Sequence, residues 1–259
     1  MKRLWKIIFI VLAAAVFGLA AMAIGFSYLP TDEEIGLRFI TANPVDLSQV
    51  LAFSQYRSCA GHDFRHPTVA TGEFEKTPRS MKHYVKAKPE YRGTIGKIAA
   101  FAPFDGEITE IEGGPGDQQI WLAPVNANKA SPRQWQFVFF HINLDPALRE
   151  GSMVAAGQKI GTANLARGPE GATDNFDIAM KFTRPLHQPA VDQVFTHMIP
   201  SILAEYERYG ITEENMSISE EYRDANDCPL LPKGQGGEDA DTVYFPPEAG
   251  SNEYVFTRL

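Results

Sequence analysis

Between Ile98 and Phe182 the chain carries short apolar pieces cut at regular intervals by glycine, with no helical period running through them. This texture most restricts the fold, because period-two alternation fits a pleated strand and does not fit a helix. "KIAAFAPFDGEITEIEGG" alternates around Asp105-Gly106, the dipeptide that most often marks a two-residue hairpin turn. "QQIWLAP" and "WQFVFFHINL" are rich in aromatic and β-branched residues, and "NFDIAMKF" is a last alternating stretch. Gly151, Gly157 and Gly161 punctuate "GSMVAAGQKIGTANL". The expectation is a compact antiparallel β barrel or sandwich.

The flanks differ from this region. "MKRLWK" carries three positive charges, and Ile7 to Leu29 then runs 23 residues without a charge. That length spans a bilayer as a helix, with the basic flank on the cytoplasmic side and the remainder outside. A cleaved signal peptide is the alternative, with Ala21-Met22-Ala23 as the cleavage site. Residues 1–29 are thus a transmembrane anchor or signal segment, and either places the rest of the chain outside the cytoplasmic membrane, periplasmic or extracellular. Residues 30–54 read as a linker with a helix start at "PTDEE", and residues 65–97 as an irregular excursion too polar for a core. Beyond residue 185, "QPAVDQVFTHMIPSILAEYERYG" has helical spacing with Pro200 dividing it. A helical segment and an acidic tail therefore occupy residues 186–259, with "DTVYF" and "EYVFTRL" as possible edge strands.

Asp and Glu number 32 against 24 Lys and Arg, so no basic surplus is available to neutralise phosphates and nucleic acid is not the expected partner. Two cysteines, Cys59 and Cys228, in an exported chain read as one disulfide. Such a bridge closes a long loop and stabilises by on the order of 4–5 kcal/mol in the chain-entropy account.

Three pieces in order, "FAPFDGEI", "FFHINL" and "REGSMVAAGQKIGTAN", resemble the lysostaphin/LytM-type zinc metallopeptidases. The resemblance covers roughly residues 55–182, about half the chain, and implies a mainly β domain of the duplicated hybrid motif type over residues 55–185, between the transmembrane helix and a helical C-terminal appendage. Members of that family are expected to hold one zinc through the His and Asp of H-x-x-x-D and the second His of a late H-x-H. That arrangement leaves an open position for a water activated by the metal.

Carried over residue by residue, the resemblance places Cys59 where the first ligand His belongs, with Asp63 matching the ligand Asp. His141 matches the strand histidine. Asn175 and Asp177 stand in the two positions of the H-x-H. The metal set implied is Asp63, Asp177 and, only if not disulfide-bonded, Cys59; the catalytic positions are His141 and the degenerate Asn175. The resemblance therefore implies a catalytically degenerate domain without a cofactor, one that binds a cell-envelope polymer such as peptidoglycan or an envelope protein. The alternative is an active zinc endopeptidase acting on peptidoglycan or peptides, with Asp63 and Asp177 on zinc and His141 polarising the carbonyl. In the family's geometry a Cys59–Cys228 bridge caps the cleft with the tail, and one of the two carboxylates then needs a proton or a basic partner.

Other readings use the same residues. His62, His66, His83 and His141 as a histidine-rich metal cluster compete with plain loop histidines. "RSMKHY" concentrates Arg79, Lys82 and His83 and reads as a solvated basic loop, or as one that contacts an anionic glycan or peptide, with Arg79 and His83 joining His62 at the cleft. "AMKF" is similar to the lysine hairpin of biotinyl carriers, but Gly157 to Ala179 is too long a spacing. Met180 is then core and Lys181 an outward strand residue. Val194, Phe195, Met198, Ile202 and Leu203 form an apolar stripe that packs on its own chain or on a partner.

Overall fold

A computed structural model gives the fold over residues 2–27, 30–128, 134–167, 171–235 and 242–258. Helix α1 (Lys2–Ser27) comes first. Its described side chains run from Trp5 to Ala20 and are exposed, Trp5 to 71% and Phe17 to 79%. Among the described residues no helix is long and apolar enough to cross a membrane, which leaves the expected span without structural support. Residues 28 and 29 of the apolar run, and 236–241 of the acidic tail, lie outside the described residues.

Helix α2 (Asp32–Ile35) is one turn held by a capping box. Thr31 Oγ1 accepts from Glu34 N at 3.2 Å, and Glu34 Oε2 accepts from Thr31 N at 2.8 Å. The segment after it is part of the core: Phe39, Ile40, Val45 and Leu47 are all buried.

The remainder is mainly β. Strands β1 (Val50–Ser54), β2 (His83–Ala87), β3 (Ile95–Phe101), β4 (Gly106–Gly114), β5 (Asp117–Pro124) and β6 (Gln134–Leu144) are followed by β7 (Met153–Val154), β8 (Lys159–Asn164), β9 (Asn175–Thr183) and β10 (Ala190–Asp192). Helix α3 (Pro200–Glu207), helix α4 (Glu220–Ala225) and strand β11 (Tyr254–Phe256) complete the order. The strands form one 11-stranded sheet in the order β11-β1-β2-β9-β6-β5-β4-β7, with β10 on β9, β8 on β6 and β3 on β8. Every strand pair in it is antiparallel.

Several local expectations change. Asp105-Gly106 is not a hairpin turn, because β3 pairs with β8 while β4 pairs with β5 and β7. The dipeptide is instead a corner between strands. Asp105 Oδ1 accepts from Ala156 N at 2.8 Å, and its carbonyl accepts from Val125 N at 3.1 Å. A side chain at Gly106 would meet the Ala123 carbonyl at 2.6 Å. The hairpin of this region is β4–β5, turning at "GGPGD", where Gly113 and Gly116 take φ of 83° and 95°.

The stretch read as too polar for a core supplies β2, which lies between β1 and β9. Beyond residue 185 the helical pattern is only partly realised. Ala190–Asp192 extends along β9, Val194–His197 is a 3-10 turn, and α3 starts at Pro200, whose missing N–H is harmless at the first helical position. Tyr254–Phe256 adds the edge strand on β1.

Alternation divides the central strands between two faces. Phe137 and Phe139 of β6, Ile178 and Met180 of β9 and Val85 of β2 enter the main core. Val194, Phe195, Met198, Ile202 and Tyr206 cover that face, so the C-terminal apolar stripe packs on its own chain. Tyr84, Asp177, Ala179, Lys181, Val138, Phe140 and Trp121 occupy the other face, and Phe64 packs over its small apolar cluster.

Candidate functional site

The second face collects the chemistry. Tyr84 lies opposite Asp177, and Phe140 is the other cross-strand neighbour of Asp177. Lys82, two residues before Tyr84, reaches the same face, and its ammonium lies 2.7 Å from Asp177 Oδ2. Both residues are buried, Lys82 to 2% and Asp177 to 1% exposure. Lys82 Nζ also meets His62 Nε2 at 3.0 Å and sits 4.7, 5.2 and 4.6 Å from the ring centres of Phe64, Tyr84 and Phe140. A buried cation is therefore satisfied by one carboxylate, one imidazole and three aromatic faces.

The protonation states form a consistent chain. Burial, reinforced by Lys82, brings the His62 pKa down to about 4, so the ring is neutral near pH 7. Its Nδ1 lies 2.9 Å from the Asp63 carbonyl and must donate there, which leaves Nε2 to accept from Lys82. Burial pushes the Asp177 carboxyl up, but Lys82, His141 and Arg167 together outweigh it and hold the group below the usual carboxylate range. Burial lowers the Lys82 ammonium, against the opposing pull of Asp177. Among the described residues, Asp177 Oδ1 remains buried without a hydrogen-bond partner.

His141 stands at the rim with its side chain 27% exposed. Here β6 leaves β9 and begins to pair with β8, and His141 takes φ of 63° at the change of partner, an uncommon conformation for a residue with a side chain. Its Nδ1 lies 2.5 Å from Asp117 Oδ1, and Nε2 is 3.7 Å from Asp177 Oδ2. The hydrogen bond to His141 outweighs partial burial and holds the Asp117 carboxyl below its usual range.

The loop "SCAGHDF" enters from above. Cys59 is bonded to Cys228, with Cα atoms 5.3 Å apart. The tail crosses the same loop: Asp63 N donates to the Val243 carbonyl at 2.7 Å, and Phe245 N to the Gly61 carbonyl at 2.9 Å. The Tyr244 ring lies 5.6 Å from that of His62. Gly61 has φ of 70°, and a Cβ there would meet the Tyr84 hydroxyl at 2.1 Å, so only glycine fits. A Cβ on Gly250 would reach the Ala60 and Cys59 backbone at 2.8 Å.

Each of the other residues singled out from the sequence has a definite place. Asp63 accepts three bonds from Arg65, at 3.0, 3.0 and 2.9 Å, and one from Arg79 N at 3.2 Å. The two carboxylates thus have separate cations, Arg65 for Asp63 and Lys82 for Asp177. Asn175 is on the face of Asp177 but bonds to Asp174 at 3.2 Å. His83 and Arg79 are not cleft residues. His83 points to the opposite face, with Nδ1 2.8 Å from the Ser54 carbonyl and its ring 5.1 Å from Phe195. Arg79 is fully buried between Glu75, 2.5 Å away, and Asp224. "RSMKHY" is therefore not a solvated loop: Arg79, Lys82 and His83 are all buried.

Lys181 does leave the core face, yet it is only 5% exposed, with Nζ 4.2 Å from the Trp121 ring centre. Burial, with Lys82 adding to it, brings its pKa down to about 8. The four histidines do not converge: His66 bonds to the Pro189 carbonyl at 3.2 Å and His83 faces the core.

Sequence reasoning missed Lys82 as the partner of Asp177, Asp117 as the partner of His141, and the aromatic walls Phe64 and Phe140. The signal for Lys82 was its spacing of two from Tyr84, ahead of "YVKA", which puts both on one face. Among the described residues no group of three or more His, Cys, Asp or Glu is arranged to hold a metal ion. The donors that would serve zinc are committed elsewhere, Cys59 to a disulfide, Asp63 to Arg65 and Asp177 to Lys82. No protein-family model matches the chain, and no curated protein matches it.

Proposed function

We propose that this chain is a membrane-anchored, extracytoplasmic, LytM-like domain of the duplicated hybrid motif type. It binds a cell-envelope polymer, peptidoglycan or similar, or an envelope protein, without hydrolysing it. The observation that carries the non-hydrolytic reading is the Lys82 ammonium, 2.7 Å from Asp177 Oδ2 and 3.0 Å from His62 Nε2. A fixed positive charge among these donors opposes a dication by repulsion and takes up the lone pairs a metal would need. The tail bonded across Gly61 and Asp63 supports a covered cleft. The Cys59–Cys228 bridge supports an oxidising compartment. The uncharged run from Ile7 to Leu29 in the sequence supports the anchor.

The test uses the full-length chain in detergent, incubated with zinc, desalted and mixed with insoluble peptidoglycan. The reading expects no tightly bound zinc, and sedimentation with the polymer without release of soluble fragments. One bound zinc per chain with chelator-sensitive release of fragments supports the endopeptidase instead. An envelope-protein partner is indicated when the polymer fails to carry the chain down.

A further inference from the structure

A cation stands beside the Cys59–Cys228 bridge. Arg223 Nη1 lies 2.8 Å from Cys59 Sγ, and Arg223 is only 2% exposed. Three further partners fix the guanidinium. Its Nε donates to the Arg57 carbonyl at 2.8 Å, Nη1 donates also to the Asn226 carbonyl at 2.9 Å, and Nη2 pairs with Glu253. Glu253 Oε2 accepts from Cys59 N at 2.5 Å, so the carboxylate is taken up by Arg223 and an amide, and the sulfur faces the cation. A sulfur in a disulfide is neutral and a weak acceptor, so a fixed charged donor gains little from it. A thiolate in the same place receives a charge-assisted hydrogen bond. Arg223 is therefore placed to hold Cys59 as the sulfur that leaves when the bridge is attacked, and a better-stabilised thiolate leaves faster.

The two cysteines differ in access. Cys59 lies beneath the tail, with Phe245 and Ala249 packed on the bridge and Gly250 against the Cys59 backbone. Cys228 is 4% exposed but belongs to a surface segment, in which Asn226, Asp227, Pro229 and Leu230 are all exposed. A thiolate from outside therefore meets Cys228 first. Leu231 N donates to the Tyr244 carbonyl at 2.8 Å, and Tyr244 pairs with His62 between the bonds at Gly61 and Asp63. The bridge thus pins a strap across the loop that carries His62 to Lys82.

We propose that Cys59–Cys228 is a latch opened by an external dithiol, with Arg223 as the positioning residue for the leaving thiolate. This deepens the covered-cleft reading of the proposed function: reduction frees the strap and uncovers the Lys82–Asp177 face. In the first step one thiolate of the dithiol bonds to Cys228 Sγ. The Cys59–Cys228 bond breaks, and its electron pair leaves on Cys59 beside Arg223. The second thiolate of the dithiol then attacks the first dithiol sulfur, closing the dithiol into a disulfide and releasing Cys228. The bridge gains two electrons and the dithiol loses two. Of the two dithiol protons, one goes to Cys228 and one to water.

The test equilibrates the full-length chain in detergent with mixtures of reduced and oxidised dithiothreitol. The chain has no cysteine beyond these two, so free thiols report the latch alone. Both thiols are expected to appear while circular dichroism shows the sheet still folded, with proteolysis at residues 242–249 at least tenfold faster in the reduced chain. Arg223→Gln is expected to slow reduction, and to shift the equilibrium toward the disulfide, by about three- to tenfold. A merely structural Arg223 gives the opposite sign, because looser packing exposes the bridge and speeds its reduction. Arg223→Lys keeps the charge and is expected to stay closer to the natural chain than Arg223→Gln. Reduction that occurs only together with loss of the sheet overturns the latch, and so does a folded reduced chain whose tail is cut no faster. Faster reduction of Arg223→Gln overturns the role of Arg223; where that variant does not fold, the natural chain decides by its own reduction and cleavage. None of these measurements involves peptidoglycan. A latch that opens as expected in a chain that never sediments with the polymer counts against the polymer and leaves the latch standing.

Discussion

The two faces of the central strands are built from the same strands by opposite means. On the core face, Val85, Phe137, Phe139, Ile178 and Met180 are buried against Phe195, Met198 and Tyr206. On the other face the same three strands bury Asp177 and Lys181 and, with the lead into β2, Lys82. The first face is held by removal of apolar area from water, and many residues of similar volume would serve. The second requires particular partners at particular distances, because an unpaired charge there has no solvent to turn to. The comparison teaches where specificity resides: the core face tolerates many apolar sets, and the charged face requires its particular partners.

The sharpest way to break this comparison is to delete one residue from each face. Phe139→Ala leaves a cavity and is expected to cost about 3–5 kcal/mol in urea unfolding. Asp177→Ala is expected to cost a similar ~3–5 kcal/mol by stranding the Lys82 ammonium. The difference appears in the rescue. Lys82→Met combined with Asp177→Leu is expected to recover most of the loss, since apolar residues of similar volume can replace a buried pair. A double variant no more stable than Asp177→Ala would contradict the account of this face.

The disulfide comes next. Cys59→Ser with Cys228→Ser is expected to lower stability by about 2–5 kcal/mol. Proteolysis should then cut first in the tail that crosses the loop at Gly61 and Asp63. Cleavage spread evenly over the chain would show that the tail is not held there by the bridge. Gly61→Ala is expected to cost about 1–3 kcal/mol, from its positive φ and the Tyr84 hydroxyl in the way. Gly114→Ala, with no atom within 4 Å of the new methyl, is expected to change little beside it.

The pH dependence is shared among several rings. Burial holds His62 and His66 on the charged side, and His83 in the core, at a pKa of about 4. The unfolded chain takes up these protons near pH 6.5 and the folded one does not. Their stabilisation is therefore complete above about pH 6.5 and is lost as pH falls toward 4, by at most about 1.4 kcal/mol per pH unit for each ring. Asp177, held below its usual value, loses its contribution only at lower pH, as the folded carboxyl protonates. Unfolding midpoints at pH 7.5, 5.5 and 4.5 should fall in that order, and His62→Gln should flatten the slope. A rise in stability toward pH 4.5 would refute these buried neutral states.

The core face was legible in the sequence because alternation is local: "WQFVFFHINL" and "NFDIAMKF" show their pleat without knowledge of their neighbours. Asp105-Gly106 misled because a dipeptide does not report which strand its flanks pair with, and β3 finds β8 far along the chain. The stretch from residue 65 to 97 looked too polar for a core because its charges were counted without their partners. Glu75 and Arg79 neutralise one another, and Lys82 meets Asp177 from 95 residues away. His141 was visible through the family resemblance, but its partner Asp117 was not, since a β-hairpin reversal and the whole of β5 separate the two.

The central claim is that the Lys82 ammonium occupies the place where a metal would be held. The direct measurement is the zinc content of the full-length chain and of its Lys82→Ala variant, each equilibrated with zinc and desalted. The account predicts little retained zinc in the natural chain and more in the variant, where His62 Nε2 and Asp177 are freed. One zinc per natural chain, retained through desalting and lost on Asp177→Asn, would contradict it.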